Sequence, residues 1–329
     1  GDDTYILTLL PPPSFTMIID YEGNDKYIYS KQGIPFQDII QIDFKGNDYY
    51  IAPVPFQIAS GYFSQQILVD LEGNDIYQGN SFCNSFAFYG ISLLIDQKGG
   101  DIYHSGHFSQ CAALSQGTSF LLELSGNDHY ISTSTIKDIR NSSEFDSYSQ
   151  SFSMGIRPYA PGGTTLLYEY EGNDLFQGSY FCQGSSFWGG LSILINSRGN
   201  DIYSARRYSQ GCGVHFAGAI LDDYHGNDIY YSHGVSMGVG HDLAVGALND
   251  NNGRDIYQSS WLSCGASSAN GIGFLLTNSP ENQYFADDSS CFAHSDTLRG
   301  TCGFSFFIKN KKSRLQQKKT NPFRKTGYF

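Results

Sequence analysis

The 329-residue chain is predicted to be all-β, a parallel right-handed β-helix or solenoid of about 11 coils of roughly 27 residues each. Three observations predict it: a turn recurring along nearly the whole chain, a near-constant spacing between its copies, and the lack of sustained helical periodicity. The turn reads Gly-Asn-Asp, one spacer and an aromatic, as at Gly73, Asn74, Asp75, Ile76 and Tyr77. Its glycines fall at Gly1, Gly23, Gly46, Gly73, Gly99, Gly126, Gly172, Gly199, Gly226 and Gly253, most of them 26 or 27 residues apart. In an eroded copy at Pro280, Glu281, Asn282, Gln283 and Tyr284 the aromatic and the spacing remain. Such a period marks stacked repeats, because one repeat alone cannot bury its apolar face.

Within a coil, an apolar run such as Ser92-Leu93-Leu94-Ile95 leads into an acid or amide, then the turn, then Ile-Tyr. That is strand, turn, strand, in runs rich in β-branched and aromatic residues. A propeller blade needs roughly 40 residues, whereas about 27 suit one winding of a parallel β-helix.

Windings stacked about 4.8 Å apart turn each alignment column into a row of touching side chains. One row is aromatic: Tyr5, Tyr27, Tyr50, Tyr77, Tyr103, Tyr130, Phe176, Tyr203, Tyr230, Tyr257 and Tyr284. A second runs Phe82, Phe108, Tyr148, Phe181, Tyr208, Val235 and Leu262. Beside it lie small residues that include Cys83 and Cys182, then amides at Asn84, Gln110, Gln150, Gln183 and Gln210, predicted to hydrogen-bond from coil to coil.

Domain organisation follows: one repeat domain over 1–308, with insertion loops at about 131–145 and 157–163 in the 46-residue step from Gly126 to Gly172, and a basic, flexible tail over 309–329. The tail holds eight basic and no acidic residues, leaving 12 basic against 32 acidic before it, so the body is near −20. That acidity argues against nucleic acid as a partner of the body. The tail suits an anionic surface or its own acidic solenoid equally. Since Gly1 already opens a repeat turn, the array is expected to continue upstream, and an uncapped edge is the consequence. The cysteines read as small core fillers. The Cys-x-x-His spacings at Cys212/His215 and Cys291/His294 stand too far apart to share one ion.

The turn in full is Asp-x-x-Gly-Asn-Asp-x-Tyr, intact at Asp20 to Tyr27, Asp43 to Tyr50, Asp70 to Tyr77 and Asp223 to Tyr230, with a close variant at Gly99-Gly100-Asp101-Ile102-Tyr103. It resembles the calcium-binding nonapeptide of RTX β-rolls, although those motifs recur every nine residues. Ser209-Gln210-Gly211 followed by Gly226-Asn227-Asp228-Ile229-Tyr230 is similar to segments of bacterial solenoid proteins of unassigned activity. These resemblances imply a bacterial β-solenoid fold and, through RTX, Ca²⁺ on the turn aspartates Asp75, Asp101, Asp128, Asp201, Asp228 and Asp255. Stacked carboxylates repel unless a cation bridges them. Equally, Asn and Gly tolerate left-handed backbone and Asp accepts amide bonds, so the motif also reads as turn chemistry alone.

Motifs for nucleophile elbows, phosphate loops, zinc proteases and dinucleotides are lacking. Three and four residues past the turn aromatic, a pair of columns expected to face outward brings together His107, Tyr180, Arg206, Arg207, His233 and Trp261, beside the first insertion. Long loops and an aromatic-plus-arginine surface suit a glycan or protein ligand. The expectation is a non-enzymatic, rigid interaction module, secreted or on a cell surface, needing no cofactor. The rivals are a carbohydrate-active enzyme on the Arg206 and Trp261 face and a calcium-stabilised RTX-like module.

Overall fold

A computed structural model describes residues 1–8, 14–29, 36–287, 289–296 and 303–317. It is all-β: parallel sheets of 12, 11 and nine strands run the length of a solenoid, with a four-stranded strip beside the first insertion. The one helical element among the described residues is a 3-10 turn at Ser289–Cys291. A representative coil enters on Ile91–Asp96, turns through Gly99 to Asp101, continues on Ile102–Ser105, and rounds a corner to Ala112–Ala113. The next coil lies over it in register, Leu94 on Leu121, Asp96 on Glu123 and Tyr103 on Tyr130.

This register makes the predicted columns physical rows. Successive rings from Tyr5 to Tyr284 stack with centroids 4.6 to 5.0 Å apart and planes within 12° of parallel. Offset stacking of this kind contributes about 0.5–1.5 kcal/mol per pair beyond area burial. The tyrosines share the main core with a leucine column that includes Leu94, Leu121 and Leu194. The second aromatic row forms its own core. Between the cores the Gln150, Gln183 and Gln210 amides each donate to the glutamine one coil back, at 3.1–3.2 Å. Cys83 and Cys182 are free, buried fillers.

Glycine marks the turn for a reason other than its φ. A Cβ on Gly73 would collide with the carbonyl oxygen of Gly46, and the same clash recurs at Gly99 against Gly73 and at Gly126 against Gly99. The glycine column is where the backbones approach closest. Left-handed backbone, expected in this turn, occurs instead at the opposite corner: Phe82, Phe108, Phe181 and Tyr208 have φ of 53–58°, and Gln110, Gln150, Gln183 and Gln210 follow at 53–60°. Non-glycine residues pay a steric cost there, which the stacked rings and amides offset.

The basic tail also differs from expectation in its described part. Arg314–Gln317 pairs with Gln283–Ala286 as the last strand of the 12-stranded sheet, so the repeat extends past residue 308. Residues 318–329 lie outside the described residues. The first insertion leaves after Ser132, folds on itself through an antiparallel bridge between Lys137 and Phe145, and rejoins at Asp146.

Candidate functional site

Two arrangements carry chemistry. The first is a buried acid ladder inside the turn. Each turn aspartate accepts, through Oδ1, the backbone N–H of its counterpart one coil back: Asp48 N–H to Asp75 at 2.6 Å, Asp75 to Asp101 at 2.5 Å, Asp101 to Asp128 at 2.6 Å, Asp201 to Asp228 at 2.8 Å and Asp228 to Asp255 at 3.1 Å. In the eroded copy Asn282 takes that place, accepting from Asp255 at 3.0 Å, so more than its aromatic survives. The Asn of the turn makes a parallel ladder outside, each side chain accepting from the next coil's amide.

The first acid of the motif forms a second buried row. Along most of the array it accepts from the tyrosine hydroxyl of the coil before, as in Tyr50 to Asp70, Tyr77 to Asp96 and Tyr103 to Glu123, each at 2.6 Å, whereas Asp250 accepts from Tyr257 of its own coil. Sequence reasoning missed this bond, although the joint repetition of acid and tyrosine signalled it.

The two rows meet in groups of three, such as Asp48, Asp70 and Asp75, or Asp75, Asp96 and Asp101, with one oxygen from each residue within 4.8 Å of the others. All six turn aspartates named above as metal candidates are fully buried. Their Oδ2 atoms, and Oδ1 of Asp70, Asp96, Asp223 and Asp250, have no hydrogen-bond partner. Burial raises the carboxyls of Asp48 and Asp201 to about 8, Asp128 to about 7 and Asp174 to about 6. It raises Asp75, Asp101, Asp228 and Asp255 as well. These clusters offer a donor set that can hold a metal ion.

The second arrangement is the corner under the first insertion, and it corrects the expected outward patch. Tyr180 is buried, and Arg207 is only 7% exposed. Arg207 lies over the rings of Trp261 at 4.6 Å, Tyr208 at 5.8 Å and Tyr180 at 5.9 Å. The register slips only locally after the insertion, where Asp146 pairs with Tyr180 before Ser149 meets Cys182. Arg207 itself keeps the counted register, pairing with Tyr180 and Gly234, yet lies inward, where its aromatic cage offsets the cost of burying a cation.

Arg206 and His233 stay accessible. The loop reaches Arg206 through Glu144, at 3.5 Å, and sets Arg140 over Tyr208 at 5.0 Å. Asp138 accepts from the Arg140 guanidinium at 3.3 Å, and burial raises the Asp146 carboxyl. Two arginines of this corner thus meet carboxylates of the loop, Arg206 with Glu144 and Arg140 with Asp138. Desolvation and the charges of Arg207 and Arg206 lower the pKa of His233. His107 stands apart: its Nδ1 is 2.9 Å from Ser81 Oγ, its ring edges onto Phe82, and burial lowers its pKa.

The chain matches no family model, no curated protein and no solved structure.

Proposed function

We propose that the protein is a non-enzymatic, rigid interaction module, secreted or surface-exposed, whose recognition surface is the corner built by the first insertion on Arg206, His233 and Trp261. One observation carries this reading. The polar rows of the repeat are engaged in holding coil to coil, whereas the first insertion departs from the repeat and sets charged and aromatic groups at an accessible edge. A rigid scaffold presenting one irregular loop is a common basis for binding, and Trp with Arg suits a glycan ring or a protein hot spot.

The test is binding of the Arg206→Ala/His233→Ala variant and the parent protein to immobilised polysaccharides and to surface-protein extracts, with melting temperatures measured alongside. The reading expects binding by the parent and at least a tenfold loss in the variant at an unchanged melting temperature, about 1.4 kcal/mol or more. Equal binding removes this corner as the site. New sugar ends released during incubation would favour the carbohydrate-active enzyme instead.

A second reading, calcium held along the acid ladder, is favoured by the unpartnered carboxylate oxygens. One Ca²⁺ per three-carboxylate group would satisfy them and cancel their repulsion. Three oxygens are fewer than the six to eight that Ca²⁺ takes, so protons compete for the same place. Titration calorimetry with Ca²⁺ at about pH 8, above the ordinary carboxyl range, decides: heat and a higher melting temperature support the ion, and neither leaves the ladder to protons.

A further inference from the structure

The outer face of the 11-stranded sheet carries an unbroken apolar column down its middle. Its strands alternate inward and outward residues, and most of the outward ones are apolar too: Leu93 and Ile95 flank buried Leu94, as Ile193 and Ile195 flank buried Leu194, while Gln65, Thr118, Thr164 and Asn249 are the uncharged polar exceptions. The middle outward column, from Met17 at one end to Phe306 at the other, carries an apolar residue in every strand. Asp38 and Asp222 are the only charged residues at the outward positions of this sheet, and neither lysine nor arginine occurs there. At the two ends Phe15 and Phe304 are 60% and 66% exposed.

Size and charge together select the occupant. Eleven strands about 4.8 Å apart and about 20 Å long make a face of about 1,000 Å². The largest apolar patch of an ordinary monomer is about 300–600 Å², and each side of a standard interface contributes about 800 Å². The face has no basic residue to draw an anionic lipid surface. A second copy, by contrast, brings an equally flat ladder with the same rung spacing, so side chains can interdigitate along its full length.

We propose that two copies pack through this face, sheet against sheet about 10 Å apart, with a two-fold axis that sets the solenoids antiparallel. Antiparallel packing also separates the carboxylates. Asp38 lies on the second strand from one end and Asp222 on the eighth, so each faces an uncharged strand of the partner rather than its own copy. The interface is isologous, as expected for a two-fold dimer.

Sedimentation equilibrium of the protein from about 1 to about 50 µM, with Leu93→Lys/Ile193→Lys beside it, is the test. The parent is expected to sediment as a dimer and the lysine variant as a monomer with the same circular dichroism spectrum. Should the lysine variant misfold, Leu93→Thr/Ile193→Thr keeps strand propensity and is expected to raise the dissociation constant at least tenfold. A parent that stays monomeric throughout overturns the proposal, and if it also floats with zwitterionic vesicles the face belongs to lipid. A dimer unchanged in both variants places the contact elsewhere and overturns it too.

Discussion

Phe176 is the one ring of the aromatic ladder without a hydroxyl, and Asn196, one coil later, is the one amide in the column that accepts those hydroxyls. Either side of this pair the bond is intact, from Tyr130 to Glu169 at 2.7 Å and from Tyr203 to Asp223 at 2.8 Å. Donor and carboxylate acceptor have been exchanged together. In the coils that keep both, the hydroxyl and the acid satisfy each other's buried hydrogen-bonding groups.

A double-mutant cycle follows from this. Asn196→Asp alone buries a carboxyl with no hydroxyl to meet it, and Phe176→Tyr alone aims a hydroxyl at an amide already beside Asp174. Each single change is expected to cost about 1–3 kcal/mol in urea unfolding, and the double variant to recover at least about 1 kcal/mol of the sum. Strict additivity would show that the two positions do not communicate.

The glycine column yields a second expectation. Gly73→Ala drives a methyl into the Gly46 carbonyl oxygen and against the buried Asp75 carboxylate. Overpacking against backbone costs at least about 3 kcal/mol. Gly218→Ala, whose Cβ would first meet the Leu191 side chain at 3.2 Å, is expected to cost less than about 1 kcal/mol. Chemical denaturation of the two variants checks the order, and equal losses would contradict the close approach.

Stability is expected to fall as pH rises. The buried carboxyls have folded-state pKa values above their unfolded ones, to about 8 at Asp48 and Asp201 and about 7 at Asp128. Their contribution is therefore complete below about pH 4 and is lost as pH climbs through about 7 to 8. Urea midpoints from pH 5 to 9 should decline, and added Ca²⁺ should flatten the decline only if the ladder takes the ion. A midpoint that rises with pH would mean that the carboxyls are ionised in the fold.

The ladders were legible in the sequence because each column has its own chemistry: tyrosine, amide and aspartate recur at one period. Three features were not. The outer apolar face is hidden in runs such as Leu93-Leu94-Ile95, because inward and outward residues are both apolar and alternation leaves no signal. The inward turn of Arg207 was hidden because the corner strands Tyr180–Cys182 and Arg207–Ser209 bury every residue in succession, so alternation does not tell inside from outside there. Left-handed backbone at Phe82 and Gln110 carries no compositional mark, since neither residue type favours it in isolation.

The measurement closest to the central claim, that equivalent residues of successive windings lie over one another, is disulfide mapping on the outer face. Leu93 pairs with Phe120 and both face outward, whereas the next residue, Leu121, is buried in the same row as Leu94. In-register neighbours satisfy the Cα separation a disulfide requires, about 4.4–6.8 Å. Under mild oxidation Leu93→Cys/Phe120→Cys is expected to cross-link nearly completely and Leu93→Cys/Leu121→Cys hardly at all, as read by non-reducing peptide mass spectrometry. Equal yields, or preference for the second pair, would contradict the stacking on which the ladders, the corner and the apolar face all rest.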